Sequence, residues 1–204
     1  MPHKTKISLI LIVSCMALLL MQNISHASPY TFTPPGQPFN LNHSYAYTWG
    51  ILHSLLPGET IIGAKLTFKN INNWRVERDV IFTRLLRGAA EGITAYRDRQ
   101  AGMTDFFKGR GRFLFRWSDN NQYRNGCKWV NPPENVVYDF DPSEIQSLTL
   151  AMANGNFGFG FDPDCHYDND GIEFEFSTSA VPEPASLIIF GLGTLVFGII
   201  KRRR

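Results

Sequence analysis

The chain has 204 residues, 44% of them hydrophobic, and a formal net charge of +2. Residues 28–180 are one domain's worth of sequence, enough for a genuine core, and they sum to a net charge of −3. A net-acidic domain argues against nucleic acid as its partner, despite the Gly109-Arg110-Gly111-Arg112 stretch.

At the N-terminus, Lys4 and Lys6 precede an apolar run over residues 7–21, and a more polar stretch ends at Ser25-His26-Ala27. A short basic region, an apolar region and a small-x-small site together predict a secretory signal peptide over 1–27, cut by signal peptidase after Ala27. The segment that follows reads mostly as strand. Tyr45, Tyr47 and Trp49 alternate with Ala46 and Thr48, and Ala64, Leu66 and Phe68 alternate with Lys65, Thr67 and Lys69. Further strands are predicted over 80–86, 112–117, 136–140, 157–161 and 172–176. The Gly- and charge-rich stretch 89–111 reads as a long loop or ragged hairpin. Asp141-Pro142-Ser143-Glu144 predicts a helix start, with a cap, a proline at the first helical position and acid near the positive end of the helix dipole. About eight strands, one short helix and no internal repeat predict an all-β ectodomain, an antiparallel β-sandwich of jelly-roll type.

Charge along this domain is uneven. Residues 75–128 hold twelve Lys/Arg and six Asp/Glu, whereas residues 129–180 hold ten Asp/Glu and no Lys or Arg. The two stretches are expected to offset one another across the folded surface. The densest polar cluster is 162–171, where Asp162, Asp164, Asp168 and Asp170 fall within nine residues. Two readings stay open there: a solvated turn between strands, or a Ca²⁺ site that relieves the repulsion with hard oxygen ligands. The spacing is not that of an EF-hand loop. His166 reads as isolated, which argues against a transition-metal site. Cys127 and Cys165 are the two cysteines left after signal removal, and in an exported protein they predict one disulfide. No hydrolase, phosphate-loop, zinc-protease or dinucleotide motif is present, so the domain is expected not to be an enzyme. Trp74, Trp117, Trp129 and Tyr123 could stack on sugar rings, although a Trp on a strand more commonly packs in the core.

Past residue 180 the composition changes abruptly. Pro182-Glu183-Pro184 is followed by an uncharged apolar run over 185–200 and by Lys201, Arg202, Arg203 and Arg204. As a helix the run would cover about 24 Å, short of a hydrocarbon core of about 30 Å, though a locally compressed bilayer would accommodate it with the cations held at the cytoplasmic face. The two prolines keep the triplet extended and out of the helix.

These three parts in order resemble the PEP-CTERM sorting signal, over residues 181–204. The resemblance implies a substrate of exosortase, a membrane cysteine transpeptidase that reads and removes such tails in bacteria that make extracellular polysaccharide. The 162–171, 42–45 and 70–74 segments also resemble, loosely, ectodomains that accompany this signal; that likeness implies no catalytic residues. The expected function is therefore an exported, transiently or permanently membrane-anchored protein of the cell surface or extracellular matrix. Its expected partners are signal peptidase, exosortase and polysaccharide. The other readings are a calcium-stabilised carbohydrate-binding module and a glycan hydrolase with a facing pair of carboxylates.

Overall fold

The computed structural model describes residues 28–36, 40–73, 79–99 and 104–180. The expected signal peptide, the Pro182-Glu183-Pro184 triplet, the apolar 185–200 run and the basic cluster lie outside them. Among the described residues no helix is long and apolar enough to cross a membrane. These residues form twelve strands and one helix: β1 (Ser28–Phe32), β2 (Tyr45–Leu52), β3 (Glu59–Asn73), β4 (Val80–Leu86), β5 (Gly92–Arg97), β6 (Arg112–Ser118), β7 (Tyr123–Asn125), β8 (Lys128–Val130), β9 (Glu134–Asp139), α1 (Pro142–Met152), β10 (Asn156–Pro163), β11 (Tyr167–Asp168) and β12 (Gly171–Ala180).

Ten of the strands make two antiparallel sheets. One runs β1-β12-β3-β11 with β9 also on β3; the other runs β5-β2-β10-β4-β6. The remaining pair, β7 and β8, is a separate hairpin. The chain passes repeatedly from one sheet to the other, so long-range pairing holds both together.

What sets the sheets face to face is the alternation in β10. Phe157, Phe159 and Phe161 are fully buried and point to one side. Phe159 lies 4.9 Å from Phe174 of β12 and Phe161 lies 5.4 Å from Phe68 of β3, ring centre to ring centre. Burying each such ring is worth about 1.5–3 kcal/mol, so this aromatic layer is a main source of cohesion between the sheets. The opposite side of β10 carries Gly158 and Gly160, and the reason is covalent space. A Cβ on Gly160 would meet the Phe107 ring at 2.9 Å, and one on Gly158 would meet Ala89 Cβ at 2.8 Å. Segments 87–91 and 104–111 therefore lie directly on the outer face of this sheet, with Phe107 buried against Ala46 and Leu86.

The 89–111 stretch is thus partly ordered in a way its composition does not announce. It supplies the edge strand β5, paired with β2, and then the covering turn. β1 also escapes the alternation rule. It has only five residues, with Pro29 among them, as an edge strand tolerates, and it docks by stacking Tyr30 on Phe176 at 4.7 Å.

The helix follows its start signal. The Asp141 side chain accepts from Glu144 N while the Glu144 side chain accepts from Asp141 N, a complete capping box with proline in the first turn. Leu148, Ala151 and Met152 are the buried apolar positions of α1. Glu144 also accepts from Tyr138 Oη at 2.6 Å, and Arg112 donates to Ser143 and Ser147. Among the described residues one ion pair joins the basic stretch to the acidic one, Arg112 with Glu144 at 4.0 Å; Lys65–Glu175 and Lys69–Glu173 take their cations from residues before 75, and Arg84–Asp105 lies within the basic stretch.

Candidate functional site

The 162–171 segment leaves β10, turns, pairs for two residues with the end of β3 as β11, and turns again into β12. Leu41 and Tyr167 clamp it from the other side through two backbone hydrogen bonds of 3.0 and 2.9 Å. Its four aspartates consequently divide into two inward and two outward.

Asp162 is 3% exposed, and its Oδ2 accepts from Phe106 N at 2.7 Å. Burial pushes its carboxyl up to about 7, with the charges of Asp98, Asp105 and Asp164 acting in the same direction against the Phe106 N–H. Asp164 Oδ1 accepts from Val80 N and, at 3.2 Å, from the fully buried Tyr167 Oη. Burial raises this carboxyl to about 6, opposed by the Val80 N–H and reinforced by Asp79. Both groups serve to end backbone segments inside the domain, as hydrogen-bond acceptors for loops that would otherwise bury N–H groups unpaired.

Asp168 and Asp170 are exposed instead. With Asn40, Asn70, Asn72, Pro133 and Asn169 they line an open groove of about 450 Å³. Asn70 donates from Nδ2 to Asp170 Oδ2 at 2.6 Å, and its own N–H goes to Asn135 Oδ1. It sits at φ +47°, at the bulge where the register of β3 against β9 slips between Phe68 and Ile71. Asn is among the few side chains that adopt this left-handed conformation readily. Asn169 closes the turn by accepting from Gly171 N.

Of the two readings left open for this segment, solvated turn and Ca²⁺ site, the arrangement favours the turn. Asp162, Asp164, Asp168 and Asp170 do not converge, and no group of three or more His, Cys, Asp or Glu side chains among the described residues is arranged to hold a metal. Asp162 and Asp164 are held by the Phe106 and Val80 N–H groups at the end of β10, whereas Asp168 and Asp170 come after the turn, at β11 and beyond, and stay exposed. The expected disulfide between Cys127 and Cys165 is not seen: Cys127 lies exposed in the β7–β8 turn and Cys165 is buried in the core at 6% exposure.

His166 is not isolated. Its Nδ1 lies 3.1 Å from Nδ1 of His43, with the rings edge to face at 4.6 Å. The two residues are 123 apart in sequence, and the Leu41–Tyr167 clamp beside them makes the meeting. Of the aromatic candidates, Trp117 is partly buried against Tyr167 and donates to Glu134, while Tyr123 is 51% exposed on the β7–β8 hairpin. Trp74 and the Trp129 side chain lie outside what is described.

Comparison with known families places one part of the chain. Residues 180–204 match the family model described as the PEP-CTERM protein-sorting motif. No curated protein and no solved structure matches the chain. The motif begins at the last residue of β12, so the folded domain runs without a spacer into the sorting segment.

Proposed function

We propose, from the PEP-CTERM motif at residues 180–204, that this is an exosortase substrate whose β-domain is a non-enzymatic component of the cell surface or extracellular matrix. The single observation carrying the reading is that match, which places a sorting signal where the residues supply an extended Pro-Glu-Pro element, a marginal apolar span and four terminal cations. The N-terminal segment directs export, the apolar run holds the chain in the membrane for a time with its cations inside, and exosortase then removes the tail. The domain itself reads as a jelly-roll-like sandwich. Its two most perturbed carboxylates, Asp162 and Asp164, are engaged with backbone N–H groups rather than facing each other across an open cleft, which favours a structural or binding role over glycan hydrolysis.

A second reading, retention of polysaccharide by the domain, is favoured by the groove of Asn40, Asn70, Asn72, Asp168 and Asp170. Amide and carboxylate side chains offer both donors and acceptors to sugar hydroxyls. Intact-mass analysis of the native protein tests the primary reading. The expected mass lacks residues 1–27 and the C-terminal basic cluster; a mature protein that keeps Arg204 in a strain with functioning exosortase overturns it.

A further inference from the structure

Acceptor-only oxygens that are buried without donors gather at one place, the 119–131 segment between β6 and β9. Asp119 is 1% exposed, and its Oδ1 has no hydrogen-bond partner among the described residues. Asn121 Oδ1 and Asn131 Oδ1 are buried in the same condition. Such groups normally find a partner inside proteins, so three of them within thirteen residues ask for a common one.

The surrounding contacts draw these side chains together. Asn131 Nδ2 donates to Asp119 Oδ2 at 2.8 Å and to the main-chain oxygen of Asn73 at 2.5 Å. Asn121 Nδ2 donates to the main-chain oxygen of Pro132, next to Asn131, at 2.9 Å. Asn73 N donates to Asp119 Oδ2 at 2.9 Å, and Asn73 Nδ2 reaches Asp79 Oδ2 at 2.5 Å, adding a second carboxylate nearby. Neither Asp79 nor Asp119 makes an ion pair with a described residue.

Oxygen donors of mixed kind, carboxylate, side-chain amide and main-chain carbonyl, are what Ca²⁺ takes, at about 2.3–2.6 Å each. Thiol and imidazole are absent from this set, which disfavours zinc and copper.

We propose that the orphaned side-chain oxygens of Asp119, Asn121 and Asn131 form a Ca²⁺ site that ties the β6–β7 and β8–β9 connections together beside the end of β3. The site is separate from the aspartates of 162–171 and independent of the sorting segment. Two carboxylates nearby and few charged ligands give it the modest affinity of extracellular calcium modules, suited to a protein outside the cytoplasm.

The test uses full-length protein in detergent micelles, stripped with EGTA. Tb³⁺ serves as the probe, excited through tryptophan, because Trp117 stands two residues before Asp119. Saturable luminescence displaced by Ca²⁺ in preference to Mg²⁺, together with a rise in melting temperature at millimolar Ca²⁺, is expected. Asp119→Asn and Asn121→Ala should each weaken Ca²⁺ binding by about tenfold or more. Asn121 lies in a connection rather than a strand, so its variant keeps the test valid if the Asp119 variant fails to fold. Absence of displacement and of any thermal shift, equal displacement by Mg²⁺, or unchanged affinity in a folded Asn121→Ala protein would each overturn the site.

Discussion

Two polar loops that both reach the end of β3 behave in opposite ways. The 162–171 loop has the highest density of carboxylates in the chain, yet Asp162 and Asp164 accept backbone N–H groups and Asp168 and Asp170 face solvent. The 119–131 loop has a single aspartate among asparagines, yet one oxygen each of Asp119, Asn121 and Asn131 is buried without a donor among the described residues. Charge density along a sequence is therefore a poor guide to which oxygens end up buried without donors, and such oxygens cost more than a solvated carboxylate does.

The strongest way to break this comparison is at Asp164. Asp164→Ala strips acceptors from Val80 N and Tyr167 Oη inside the domain, and is expected to lower unfolding free energy by about 2–3 kcal/mol in urea denaturation. Asp164→Asn keeps an acceptor oxygen and should lose about 1 kcal/mol or less. Equal losses for both would mean that the charge, rather than the hydrogen bonds, matters there.

Next in size is a pH effect at Asp162. The unfolded carboxyl releases its proton near 3.8 and the folded one near about 7, so between those values the folded state holds more protons. Stability from this group therefore falls as pH rises through the window. Asp98, Asp105 and Asp164 face it, and Arg84 is committed to Asp105. Melting temperatures measured from pH 4.5 to 8 (roughly the span of the shift) should drop less steeply in Asp162→Asn than in wild type. An unchanged slope would remove Asp162 as the cause.

The smallest effects belong to the groove. Asp168→Ala and Asp170→Ala should each change stability by about 0.5 kcal/mol or less, since their surroundings are solvated. Any loss of polysaccharide retention in these variants then reports on the groove itself and not on folding.

Much of the fold could be read from local pattern. The Phe157, Phe159, Phe161 alternation announces β10, residues 80–86 are β4 as predicted, and Asp141-Pro142-Ser143-Glu144 starts α1. Each of these signals is contained in one short stretch. β1 and β5 were not legible in the same way: their strand character comes from edges offered by β12 and β2, to which their own residues contribute little periodicity. The His43–His166 contact and the Asp119, Asn131 and Asn73 cluster depend on residues tens to more than a hundred positions apart. Composition could place aspartates near 162–171 but could not tell which would face in.

The sequence by itself determined that this chain carries a PEP-CTERM sorting motif, because that motif is a linear string of proline, apolar and basic residues that needs no folded partner to be read. It also determined most strands and the helix, through alternation and capping over neighbouring residues. Only the tertiary structure decided which carboxylates are buried and which amide oxygens lack donors. Burial and hydrogen-bond satisfaction are properties of what distant segments bring to one place, and no single segment carries them.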